Sequence, residues 1–377
     1  MRIFVLTRSY PSADDLYQYP FVHRRVLAYR ARGHDVAVFR FDPAGRESRH
    51  AFEGVDCETG GAAALRRAVA GFAPDVAALH GLSEMLWPAF AALDPQLPVC
   101  AWLHGTEIPG IQRGKLAWIA DPAQRDEHEA LLATRIAFWR GVLDPWPENL
   151  RIAFVSANSR EVMRADLGAV LQDRRTTVLH NPIDAALFAA QQKTPEDRFS
   201  VLSIRPHHNE AYGNDLAVAA VLALRERPWF ARLNFTFVGD GPLFAATMAP
   251  LRGLPNVTLR QCFVRQDEIA RLHRAHGVFL VPTRLDTQGV SRDEAMASSL
   301  VPVTNAVYAV PEFVDSACAG LAQANDAAGL AHEIAAMVED PALFQARSAA
   351  AAARVRAQSG DDVIIPRELA WMAGGSA

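Results

Sequence analysis

Short apolar runs rich in Val, Ile, Leu and Phe recur along this chain, separated by longer stretches in which Ala, Leu and Arg repeat at helical spacing. In the first half such runs fall at 2–7, 35–41, 75–80, 98–104, 151–156 and 176–180, with helical periodicity at 21–32, 62–72, 83–93 and 123–141. A run apolar at consecutive positions buries both faces. Alternation of such strands with helices therefore predicts a parallel sheet covered on both sides.

The segment 189–197, with Gln191-Gln192-Lys193-Thr194-Pro195-Glu196-Asp197, breaks the pattern and reads as a linker. Alternation then restarts, with strands expected at 199–204, 234–238, 256–260, 278–281 and 301–304. Helices are expected at 214–227, 242–251, 266–275, 291–299, 326–338 and 341–357. The α/β pattern thus predicts two Rossmann-like, doubly wound domains, 1–190 and 198–357. A last segment, 358–377, with Ile364, Ile365 and Trp371, is expected to cross back onto the first domain. Ligands bind beyond the carboxyl ends of strands in such sheets, so the expected site is a cleft where the two domains face each other.

A length of 377 residues fits this, since a single core stops growing well below that size. The net charge of −4 argues against a nucleic-acid partner, which calls for a basic excess. Cys57, Cys100, Cys262 and Cys318 form no C-x-x-C pair, which excludes a zinc or disulfide framework and fits a reducing, cytoplasmic setting. The start lacks the apolar core of a signal peptide, and no run reaches the roughly 18 apolar residues of a membrane span. Basic residues do cluster in His23-Arg24-Arg25 and Arg30-Ala31-Arg32, behind Tyr17, Tyr19 and Phe21. A solvated helix face is the plain reading. Contact with anionic lipid or a phosphate-bearing acceptor, and so a peripheral position at the inner membrane face, is the alternative.

The segment richest in chemistry is Pro282-Thr-Arg-Leu-Asp286-Thr-Gln-Gly289-Val290-Ser291-Arg-Asp-Glu294-Ala-Met-Ala297. It leads from a strand through a loop into a helix. Gly289 allows close backbone approach, and the amides of Val290 and Ser291 would point outward at a helix N-terminus, a ready anion site. Carboxylates at 286 and 294 stand where sugar hydroxyls on either side of a diphosphate would need acceptors. Equally, Ser291-x-x-Glu294 reads as a capping box, in which Glu294 serves only the helix start.

The segment resembles the Glu-x7-Glu signature of retaining GT-B glycosyltransferases, in particular family 4, with Asp286 at the first position and Glu294-Ala-Met-Ala297 at the second. Further matches follow in the family's order: His104-Gly105-Thr106-Glu107, Asn181-Pro-Ile-Asp184, Ser203-Ile-Arg205-Pro, Phe237-Val-Gly239-Asp-Gly241-Pro and Pro311-Glu312. The resemblance implies the GT-B fold and transfer of a sugar, with retention, from a nucleoside diphosphate sugar to a glycan, lipid-linked or other hydroxyl acceptor. It implies no cofactor and no obligatory metal. His104 and Asp286 would face the transferred sugar as catalytic residues, and Glu107 would line it. Arg205, Gly289, Val290, Ser291 and Glu294 would bind the donor, Glu294 through the ribose. A phosphate-binding Lys expected before Gly213 is replaced here by Ala211-Tyr212, and the Tyr212 hydroxyl or His207 is the candidate substitute. That loss keeps two other readings open: a non-catalytic nucleotide-binding subunit, and a nucleotide-sugar epimerase.

Overall fold

A computed structural model describes residues 1–119 and 121–375. The last two residues of the expected 358–377 segment therefore lie outside the described residues. The chain forms two compact units, Met1–Pro182 with Asp362–Ala377, and Ile183–Asp361.

Among the described residues, the first unit has strands β1 (Arg2–Thr7), β2 (Asp35–Phe41), β3 (Ser48–Phe52), β4 (Val55–Gly60), β5 (Val76–His80), β6 (Val99–Leu103), β7 (Leu150–Phe154) and β8 (Thr176–Val178). They form one sheet in the order β3-β4-β2-β1-β5-β6-β7-β8, antiparallel at β3–β4 and parallel elsewhere. The β3–β4 hairpin is absent from the sequence reading, because its strands are too polar to stand out. In β4, Val55, Cys57 and Thr59 are buried while Asp56 is exposed and Glu58 half-buried, the alternation of a strand with one inward face. Its turn, Glu53-Gly54, takes φ of 45° and 76°, the left-handed pair a tight hairpin requires. The expected helix at 83–93 shortens to Trp87–Ala91, and helices Pro109–Arg113 and Ala157–Leu167 are additional.

On one face of this sheet, Ile3, Val5, Val38 and Trp102 pack with Val22, Val26 and Tyr29 of helix Pro20–Ala31 and with Ile365, Trp371 and Met372 of helix Asp361–Met372. Between the two helices lies a buried polar knot. Arg25 Nε donates to Glu368 Oε1 at 2.9 Å, and the Tyr29 hydroxyl donates to Glu368 Oε2 at 2.5 Å. Arg25 also donates to Asn181 Oδ1 at 2.9 Å. Arg25, Tyr29 and Glu368 are all 0% exposed. This overturns the surface reading for one part of the basic cluster: Arg25 and His23 are buried, so His23-Arg24-Arg25 presents no continuous basic face to a lipid, whereas Arg30-Ala31-Arg32 is exposed as expected of a solvated face. Among the described residues no helix is long and apolar enough to cross a membrane.

The second unit has strands β9 (Ser200–Ile204), β10 (Asn234–Gly239), β11 (Val257–Gln261), β12 (Val278–Leu280), β13 (Val301–Asn305) and β14 (Gly320–Ala322). They form a parallel sheet in the order β11-β10-β9-β12-β13-β14. Consecutive residues divide between its faces. Val201, Phe237 and Leu280 join the core beneath helices Asn214–Leu224 and Ala327–Glu339, whereas Leu202, Val238 and Phe279 join Ala295 and Leu300 on the other side. Unbroken apolar strands are therefore required here. The polar 189–197 segment is docked on this unit: Lys193 is buried, its Nζ donating to the carbonyls of His273 at 2.9 Å and Arg274 at 3.2 Å. The units accordingly divide between Pro182 and Ile183, ahead of the polar segment.

Candidate functional site

In the second sheet the strand order reverses between β9 and β12, and a parallel sheet opens a crevice beyond its strand ends at such a point. Arg205 directly follows β9, and the 281–289 loop follows β12. The sequence candidates of this unit therefore converge.

Arg205 is 5% exposed, which removes its reading as a surface arginine. Its Nη1 lies 3.5 Å from Ser291 Oγ, its Nη2 donates to the Pro282 carbonyl at 3.3 Å, and its guanidinium carbon stands 5.0 Å from the centre of the Tyr212 ring. The backbone beneath is fixed by a close approach. A Cβ on Gly239 would fall 1.9 Å from the Arg205 carbonyl oxygen, so only glycine fits there.

Helix Val290–Ala297 starts from Gly289 as its N-cap, at φ 94°. A left-handed N-cap there puts Ser291 in the first turn, where it cannot serve as the cap; the capping box does not form. The amides of the first turn have no partner within the helix, and Ser291 Oγ lies beside them and beside Arg205. A Cβ at Gly289 would meet Arg292 Nη1 at 2.9 Å and Asp286 Oδ2 at 3.1 Å. Asp286 Oδ1 accepts from the Gln288 amide at 3.1 Å, shaping the loop, while Asp286 itself stays half-buried. Glu294 sits one turn into the helix at 8% exposure.

A buried support that sequence reasoning missed lies under the loop. Asp293 Oδ1 accepts from Arg292 Nε at 3.0 Å and Nη2 at 2.7 Å, and Asp293 Oδ2 accepts from Gln288 Nε2 at 3.1 Å. Arg292 Nη2 also donates to the Gln288 carbonyl. Arg292 lies over the Phe313 ring at 5.1 Å. All three residues are at most 2% exposed. Burial raises the Asp293 carboxyl, and Arg292 opposes that shift. Nothing in the sequence pattern marked these charged side chains as turned inward.

His207, just past Arg205, is also buried. Its ring meets Phe244 edge-on at 4.7 Å, and its Nδ1 has no hydrogen-bond partner. Burial, followed by the Arg205 charge, holds its pKa down at about 4, so the ring is neutral near pH 7.

In the first unit, His104 follows β6. Its Nε2 lies 3.2 Å from His80 Nδ1, and Phe21 packs on the ring at 4.5 Å. Burial and the nearby Arg25 charge hold His104 well below the usual histidine range. It is a neutral hydrogen-bonding group. His80, 0% exposed and stacked on Trp102 at 5.0 Å, was not singled out in the sequence.

Glu107 has a different task from the sugar-lining role expected of it. Its Oε2 accepts from the amides of His104 and Gly105, both at 2.9 Å, and its Oε1 from Thr106 Oγ1 at 2.9 Å. At 2% exposure it clamps the loop that carries His104 and leaves no face for a sugar.

Residues 199–340 match the profile of the family "Glycosyl transferases group 1". No curated relative matches the chain in sequence. Among solved structures, sucrose-phosphate synthase of Thermosynechococcus elongatus is 16% identical, with a TM-score of 0.74 and 99% of each chain covered. Alr3699/HepE of Anabaena, in complex with UDP and glucose, is 15% identical, with a TM-score of 0.71 over 99% of this chain and 100% of that one. OtsA, a trehalose-6-phosphate synthase, is 13% identical, with a TM-score of 0.70 and 99% of each chain covered. The chain has the GT-B fold, and within its second unit residues 199–340 are similar to the group 1 glycosyltransferases.

Proposed function

We propose that the protein is a retaining glycosyltransferase, moving a hexosyl group from a nucleoside diphosphate sugar to an acceptor hydroxyl in the synthesis of a bacterial polysaccharide or glycoconjugate. The observation that carries this is the meeting of Arg205 with the Gly289–Ser291 helix start at the switch point of the second sheet. In the reaction the bond from the anomeric carbon to the diphosphate breaks, its electron pair staying on the phosphate oxygen. A bond from the acceptor oxygen to that carbon replaces it, and the hydroxyl proton goes to the departing phosphate oxygen or on to solvent. Negative charge grows on the departing diphosphate, where a guanidinium and first-turn amides act best because they are already in place.

In this reading Glu294 accepts from ribose hydroxyls and Asp286 from hydroxyls of the transferred sugar. His104, being neutral, hydrogen-bonds to the sugar without adding charge. The HepE structure, which contains UDP and glucose, makes UDP-sugars the first donors to try. The four free thiols are in keeping with a cytoplasmic setting.

The test is a thermal-shift screen of nucleoside diphosphates, then incubation of each binding donor with and without candidate acceptors and analysis of product stereochemistry. An α-linked product from an α-linked donor supports the proposal. Binding without turnover identifies a nucleotide-binding subunit, and a sugar altered without any acceptor identifies an epimerase. Transfer should persist in excess EDTA, because Arg205 and the helix amides carry the charge a divalent ion would otherwise meet.

A further inference from the structure

We infer that Arg292 binds the donor, its Nη1 donating to a diphosphate oxygen beside Asp286. The inference rests on the donor reading above and deepens it. Arg292 stands in the first turn of helix Val290–Ala297, and helical side chains run back toward the helix start. Its guanidinium therefore lies against Gln288 and Gly289, the residues that lead into the helix.

Two of its nitrogens are held from within the fold. Nε and Nη2 donate to Asp293 Oδ1 at 3.0 and 2.7 Å, and Nη2 also donates to the Gln288 carbonyl. Asp293 is steadied in turn by Gln288 Nε2 at 3.1 Å, and Phe313 lies against the guanidinium at 5.1 Å. Nη1 is different. Among the described residues it has no hydrogen-bond partner, although the side chain is only 2% exposed. An unmade donor on a charged group costs free energy at that depth, and a ligand oxygen returns it.

Nη1 has a definite aim. A Cβ on Gly289 would stand 2.9 Å from Nη1 and 3.1 Å from Asp286 Oδ2. The donor and the carboxylate oxygen thus face one point, and the bare Cα at 289 leaves a notch between them. The notch sits at the helix start, where Ser291 meets Arg205. An anionic oxygen there accepts from Nη1 while a neighbouring hydroxyl donates to Asp286. That pairing suits the junction of a phosphate with a hydroxyl-bearing ring. Asp293 sets the strength of the contact as well as its direction, because its charge partly cancels that of Arg292.

The test is calorimetric titration of UDP, ADP and GDP into wild type, R292K, D293N and the double variant R292M/D293L, with a melting curve for each protein. For the diphosphate that wild type binds, the double variant should bind roughly tenfold more weakly. Its melting temperature should stay close to wild type, since apolar replacement of a whole buried pair is often neutral. In R292K one ammonium cannot hold Asp293 and reach the notch together, so affinity should fall at least about threefold. D293N keeps an acceptor for the guanidinium and removes the opposing charge. It should melt lower yet bind at least about twofold more tightly, a combination that mere support of the loop does not give.

Wild-type affinity in either R292K or R292M/D293L overturns the inference. So does a D293N protein that binds no more tightly than wild type. Should the double variant fail to fold, R292K and D293N decide by the same criteria. If wild type binds none of the three diphosphates, the donor reading falls and the inference with it. If wild type binds and one of the overturning results follows, only the inference falls.

Discussion

Replacing Glu368 by alanine should be among the most damaging single changes in the first unit, although the residue lies far along the chain from any candidate for chemistry. Glu368 is 0% exposed and receives both Arg25 Nε and the Tyr29 hydroxyl. Without it, Arg25 keeps only neutral oxygens, those of Asn181 at 2.9 Å, His180 at 3.3 Å and Phe21 at 3.4 Å, around a full charge that water cannot reach. Breaking a buried pair in this way costs about 3–5 kcal/mol, well above the 0–1 kcal/mol typical of an exposed pair. Guanidinium unfolding followed by tryptophan fluorescence reads this unit selectively, since of the 7 tryptophans only Trp229 lies in the second unit. With a slope of about 4 kcal/mol per molar, the midpoint of the first transition should fall by roughly 1 M. The double variant R25M/E368L removes both charges and should recover at least half of the loss, because apolar replacement of a complete pair is far less costly than halving it. A midpoint for Glu368→Ala within about 0.2 M of wild type, roughly 1 kcal/mol, would refute the reasoning. A double variant whose loss equals the sum of its singles would refute it too.

Glu294→Ala should keep the fold and weaken nucleoside diphosphate binding at least about tenfold by calorimetry, as expected for loss of a charged acceptor; the helix start at Gly289 carries no side-chain cap. Gly239→Ala should lower both stability and diphosphate affinity in the same thermal-shift series, because its Cβ would strike the Arg205 carbonyl and displace the guanidinium with it. Burial holds the His273 pKa at about 3, so this ring is neutral in the fold and becomes protonated on unfolding. Its share of stability is whole above the ordinary histidine pKa of about 6.5 and declines as pH falls toward 3. Between pH 7 and pH 5 that decline is about 2 kcal/mol, and chemical denaturation of His273→Leu over this range should show a correspondingly flatter profile.

What could be read from the sequence was whatever carried a strong period or a fixed backbone demand. Buried parallel strands announce themselves as unbroken apolar runs, so β1, β2 and β9–β13 fall within a residue or two of their expected places. The β3–β4 hairpin and the three-residue β14 lack such runs and were missed. The sequence put Gly289, Ser291 and Arg205 just beyond strand ends, and the structure brings Arg205 beside Ser291 in the helix that Gly289 starts. Glu107 was misjudged for the opposite reason. An acidic residue after a strand reads as a ligand, whereas here three donors of its own loop consume it. The Gln288–Arg292–Asp293 support and His80 could not be seen, since nothing in a one-dimensional pattern tells whether a charged or imidazole side chain turns inward to meet a partner.

The return of helix Asp361–Met372 to the first unit makes that unit discontinuous in the chain. During synthesis the ribosome releases all of the second unit before the first receives Ile365, Trp371 and the partner of Arg25. Until then the nascent first unit carries an unpaired interior cation and an open apolar seam. It closes only once the residues of helix Asp361–Met372 have been made, so a premature stop after the second unit would leave both flaws permanent and make that product a ready target for chaperones and proteases.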